Sequence, residues 1–121
     1  MARILIVDDS PGMRALTATI LRYAGHQAET ASNGSQALEK LDAHRPDLML
    51  LDLTMPEMDG FEVLERLCKR GHGRPPVPVV IFSAQDDQAT RSRVAELGAS
   101  GFVAKSASDA EILRQEVALH V

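Results

Sequence analysis

The sequence has no tryptophan, and aromatic residues are only 3% of its 121. That argues against a stacking platform for single-stranded nucleic acid. A lone cysteine, Cys68, rules out an internal disulfide framework and a cysteine-only zinc site. No apolar run approaches the roughly 18 residues of a membrane span. The first strand-like run begins at Arg3, which leaves no room for a signal peptide before it. A cytoplasmic domain without a membrane partner is therefore expected. Basic residues are not in excess: 13 face 17 acidic ones, a net charge of −4. Direct nucleic-acid binding over a broad basic surface is not expected from that balance. Neither GxGxxG nor GxxxxGK[ST] occurs, which argues against a nucleotide-binding module. His26, His44, His72 and His120 lack paired metal spacing and read as surface residues. With no repeat, low-complexity tract or long linker, one domain over residues 1–121 is expected.

What the chain does have is alternation. Apolar runs at 4–7, 48–51 and 77–82 read as buried strands, with weaker candidates at 26–31 and 101–104. Helical spacing fills the intervals. Met13, Leu16, Ile20, Leu21 and Ala24 form a stripe over 10–24. Ala37, Leu38 and Leu41 mark a second helix. Phe61, Leu64, Leu67 and Cys68 mark a third over 59–70, with Cys68 expected in the core. Ala89, Val94 and Leu97 mark a fourth, and Ala110, Leu113 and Val117 a fifth. Ser10-Pro11 offers an N-cap followed by proline at the first helical position. Asp59-Gly60 and Asp86-Asp87 suit helix starts, and Gly25 and Gly98 suit helix ends. Five βα units imply an α/β fold: a mostly parallel sheet with right-handed crossovers and helices on both faces. In such a sheet the site lies beyond the carboxyl ends of the strands.

Those ends carry the polar residues. The first strand runs into Asp8-Asp9, the third into Asp52, the fourth into Ser83-Ala84 and the fifth into Lys105. Taken singly, each has an ordinary reading as a cap, a turn residue or a solvated lysine. Their placement on one rim is what points to chemistry. Two like charges about 4 Å apart repel by about 4 kcal/mol at an effective dielectric near 20. Such a group raises a carboxyl pKa or recruits a cation, and hard divalent ions prefer carboxylate oxygen. A carboxylate nucleophile, a divalent metal, an ammonium and a hydroxyl donor suit phosphoryl transfer onto aspartate.

Four segments carry a family resemblance: Val7-Asp8-Asp9-Ser10, Leu51-Asp52-Leu53-Thr54-Met55-Pro56-Glu57-Met58-Asp59-Gly60, Phe82-Ser83-Ala84 and Phe102-Val103-Ala104-Lys105. In this order they resemble the receiver domain of two-component response regulators, over essentially the whole chain. The resemblance implies a flavodoxin-like, doubly wound sheet of five parallel strands in the order 2-1-3-4-5. It implies that Asp52 accepts a phosphoryl group from a sensor histidine kinase or a histidine phosphotransfer protein. It implies Mg²⁺ held by Asp9, by Asp8 through water, by Asp52 and by the backbone carbonyl of Thr54. Lys105 would pair with the phosphoryl oxygens, Ser83 would move to hydrogen-bond them, and Phe102 would be the aromatic that turns with it. Pro56 and Gly60 would shape the loop after Asp52. The domain would then be a switch rather than a conventional enzyme, read by a downstream protein or a linked output domain.

One departure concerns Ser106, which stands where the family usually has proline after the lysine. That leaves the path after Lys105 open. A haloacid-dehalogenase-like phosphatase would want a second aspartate two positions after Asp52, where Thr54 stands. A degenerate receiver acting as a constitutive interaction domain is disfavoured by Asp8, Asp9, Asp52 and Lys105 together. Residues 1–121 contain no output domain, so a stand-alone regulator and a receiver from a longer chain are both open. Arg91 and Arg93 read as solvated charges or a contact for an acidic partner. Met55 and Met58 read as packing or as an adaptable contact surface.

Overall fold

A computed structural model describes residues 1–106 and 109–121. Among them, strands β1 (Arg3–Val7), β2 (Gln27–Ala31), β3 (Leu48–Leu51), β4 (Val79–Ser83) and β5 (Gly101–Ala104) alternate with helices. The helices are α1 (Pro11–Tyr23), α2 (Gly34–Ala43), α3 (Gly60–Arg70), α4 (Gln88–Glu96) and α5 (Ala110–Ala118). All strand pairs are parallel, and the sheet order is β2-β1-β3-β4-β5. The expected architecture and order are therefore observed.

The period of two along each strand sorts the core into two layers. Leu5, Val7, Met49, Leu51, Val79 and Ile81 pack against α2, α3 and Val94 of α4. Ile4, Ile6, Leu48, Leu50, Val80, Phe82 and Val103 pack against α1 and α5. Strands β3 and β4 are buried throughout, as strands covered on both faces must be.

Helix ends follow local chemistry. Ser10, Asn33, Asp59, Asp87 and Asp109 each accept a backbone N–H from the first turn of the helix they precede. Gly25 and Gly98 adopt φ of 94° and 92°. Each closes a paired C-terminal cap: Gly25 and His26 donate to Arg22 and Leu21, and Gly98 and Ala99 to Ala95 and Val94.

Several sequence expectations are corrected. Strand β4 begins at Val79 instead of Val77, because Pro78 has no N–H to give the ladder, although its carbonyl accepts from Met49 at 2.9 Å. Strand β2 begins after His26, whose Nδ1 accepts the N–H of Ala2 at 3.1 Å. Leu16 is 55% exposed, and α1 buries Thr17, Ala18 and Leu21 instead. Ala89 and Ala110 lie on exposed faces of α4 and α5. Cys68 is only half-buried, and its Sγ donates to the carbonyl of Leu97 at 2.6 Å. His26 and His120 are half-buried with partners, whereas His44 and His72 are exposed. Met55 is buried and Met58 packs on the core, which favours the packing reading for both.

Candidate functional site

Strand register assembles the rim. Val7 pairs with Leu51, so Asp8 and Asp52 emerge side by side one residue later. Ser83 pairs with Ala104, so Lys105 leaves β5 beside the end of β4. Backbone bonds carry the alignment past the strands: Asp52 donates to Val7 at 2.9 Å, and Lys105 to Ser83 at 2.9 Å.

The side chains of Asp8, Asp9, Asp52 and Lys105 lie together. The Lys105 Nζ lies 2.7 Å from Asp8 Oδ2 and 3.5 Å from Asp52 Oδ2. It also stands 5.4 Å from the centroid of Phe82. Carboxylate oxygens of Asp8, Asp9 and Asp52 all lie within 4.8 Å of one another. Asp8 and Asp52 are buried, at 3% and 5% exposure, while Asp9 is exposed. Asp8 is held at both oxygens, since Oδ1 accepts the N–H of Ser10 at 2.9 Å.

Burial pushes the Asp52 carboxyl above its ordinary value. Lys105 opposes that shift, Asp8 reinforces it, the Thr54 N–H opposes it and Asp9 adds to it. The Thr54 N–H meets Asp52 Oδ1 at 3.4 Å, and Thr54 itself is exposed. Three hard oxygen donors, with only one ammonium among them, are the donor set that a small divalent cation takes. The residues present fit Mg²⁺.

Gly60 fixes the loop after Asp52. Its N–H donates to the Leu53 carbonyl at 2.9 Å. A Cβ there would collide with the Asp52 carbonyl oxygen and lie 2.7 Å from the Leu53 Cα. Helix α3 can thus start hard against the strand end only with glycine. Within this loop Glu57 takes a left-handed backbone, φ 66°.

Ser83 is fully buried, and its Oγ accepts the N–H of Gln85 at 3.1 Å. Phe102 is half-buried and packs on the core layer beneath α4. No cis peptide occurs among the described residues, Lys105–Ser106 included. Three contacts were not anticipated. Arg14 Nη1 donates to the Asp8 carbonyl at 2.8 Å, Gln85 donates to Ser83, and Arg91 covers the Phe102 ring at 4.3 Å. The Gln85 contact alone had a local signal, a hydroxyl two residues before it at a strand end.

A family model for the response regulator receiver domain matches residues 4–117. The chain is 38% identical over 120 residues to protein-glutamate methylesterase/protein-glutamine glutaminase 2 of Koribacter versatilis, covering 96% of this chain and 32% of that protein. It is 36% identical over 104 residues to the chemotaxis protein CheY of Thermotoga maritima, covering 85% of this chain and 84% of the relative. The solved structure of the chemotaxis protein CheY4 of Vibrio cholerae matches with a TM-score of 0.90 at 28% identity, covering 100% of this chain and 99% of that one. Several other curated relatives are longer, and the chain spans from 15% to 46% of their length.

Proposed function

The chain belongs to the response regulator receiver domain family, and on that premise we propose that Asp52 is its phosphoacceptor in a phosphorylation-dependent signalling switch. The observation that carries this reading is the Lys105 ammonium set between Asp8 and Asp52, three side chains from three strand ends. A phosphoryl group entering there meets positive charge on one side and a carboxylate nucleophile on the other. The donor is the phosphohistidine of a sensor kinase or phosphotransfer protein. The donor's P–N bond breaks as a P–O bond forms to an Asp52 oxygen, and the imidazole leaves carrying a proton. Asp8, Asp9, Asp52 and the Thr54 carbonyl would hold Mg²⁺, which when bound neutralises charge on the phosphoryl oxygens.

Lys105 holds the carboxylates in place before transfer and pairs with the new anion after it. Ser83 turns its hydroxyl from the Gln85 N–H toward the phosphoryl oxygens, and Phe102 rotates inward behind it. The surface of α4, β5 and α5 is thereby remodelled for a downstream protein or linked output domain. The whole of residues 1–121 acts as this one domain. No helix among the described residues is long and apolar enough to cross a membrane, and we place the domain in the cytoplasm beside its kinase.

Incubation with Mg²⁺ and acetyl phosphate tests the reading by intact mass. One hydroxylamine-labile phosphoryl group is expected, absent with EDTA and absent in Asp52→Asn. Equal uptake by Asp52→Asn overturns the assignment. Ser83→Ala is expected to take up the group while its Phe102 ring resonances no longer respond. A normal ring response in that variant refutes the coupling.

A further inference from the structure

Helix α4 has little apolar surface of its own. In its sequence, Gln-Ala-Thr-Arg-Ser-Arg-Val-Ala-Glu, only Thr90 and Val94 are buried. Two arginines hold it from opposite sides. The Arg93 guanidinium lies 4.0 Å from the centroid of Phe61 on α3, with Nη2 3.5 Å from Glu65. The Arg91 guanidinium lies 4.3 Å from the centroid of Phe102 on β5. Its Nε also donates to the Asp86 carbonyl at 3.1 Å, which anchors the guanidinium to the loop before α4. The ring assigned to the switch is therefore covered by a guanidinium tied to the loop before α4, and an inward turn of Phe102 would break that stack.

We propose that Arg91 is a positioning residue that holds Phe102 in its half-exposed resting place, so that switching requires the guanidinium to release the ring. This rests on the reading of Phe102 as the moving aromatic. A stack at an exposed site biases such an equilibrium by about two- to fivefold. Removing it shifts the resting population toward the inward form, and the phosphoryl group then has less to overcome. Arg93 provides the control, since it grips the same helix through a different ring.

The test combines ring NMR of phenylalanine-labelled protein with initial rates of Mg²⁺-dependent phosphoryl uptake from acetyl phosphate. The chain has three phenylalanines, so Phe102 is assigned by single substitution. Arg91→Ala is expected to move the Phe102 resonances in the unphosphorylated protein and to raise the rate about two- to fivefold. Arg93→Ala is expected to move the Phe61 resonances and leave both Phe102 and the rate unchanged. In a Phe102→Leu background, Arg91→Ala should no longer change the rate. Unmoved Phe102 resonances in Arg91→Ala overturn the proposal. So does a rate gain that survives in the Phe102→Leu background, or one that Arg93→Ala reproduces. Absence of uptake in every protein, the parent included, sinks the phosphoacceptor reading and the switching role with it. The resonances still decide in that case whether Arg91 positions the ring.

Discussion

Asp52 is 5% exposed, two further carboxylates share its rim, and one lysine balances them. Burial, the largest influence, lifts its carboxyl above the ordinary value of 3.8. The folded state then holds the proton more tightly than the unfolded chain, so the stability tied to Asp52 falls as pH rises from 3.8 through the raised value. Asp52→Asn should therefore raise the melting temperature of the metal-free protein at pH 7, with a gain that shrinks toward pH 4. Thermal melts in EDTA at both values check this, and a loss of stability at pH 7 contradicts it. Lys105→Ala should keep or raise Mg²⁺ affinity in a calorimetric titration, because a competing cation is gone, while phosphoryl uptake falls. Weakened Mg²⁺ binding would oppose the assigned role. The strand-end polar residues were legible in the sequence because each directly follows an apolar run. The Arg91 and Arg93 stacks were not, because their rings lie on β5 and α3 and no spacing within α4 announces them.

Among the elements, the loop from Asp52 to α3 constrains the site most. Gly60 sits against the Asp52 carbonyl, whereas a Cβ at Gly12 on α1 meets nothing within 4 Å. The same substitution should therefore have opposite signs. Gly60→Ala should destabilise by about 1–3 kcal/mol, as overpacked sites do. Gly12→Ala should stabilise by up to about 1 kcal/mol, through helix propensity alone. Urea melts of both variants check the pair, and equal shifts would show that the close approach at Gly60 is relieved without cost. Strand existence was readable throughout. Helix faces were less so, since the α1 stripe placed Leu16 inward while the structure buries Thr17. Helix α4 buries only Thr90 and Val94, and its two arginines lie over rings on neighbouring elements.

For the whole molecule, the parallel sheet gathers into one rim groups that lie up to 97 positions apart. The alternation of strands and helices gave the fold class from the sequence, while the strand order came from resemblance, because periodicity does not say which strands are neighbours. The register then explains the site, with Val7 beside Leu51 and Ser83 beside Ala104. The proposed phosphoacceptor is the carboxylate at the end of β3. Borohydride reduction of protein treated with Mg²⁺ and acetyl phosphate, followed by peptide mass mapping, locates the modified carboxylate. Conversion of residue 52 alone to homoserine is the predicted result. Homoserine at position 8 or 9, or at no position while the intact protein carries phosphate, would contradict it.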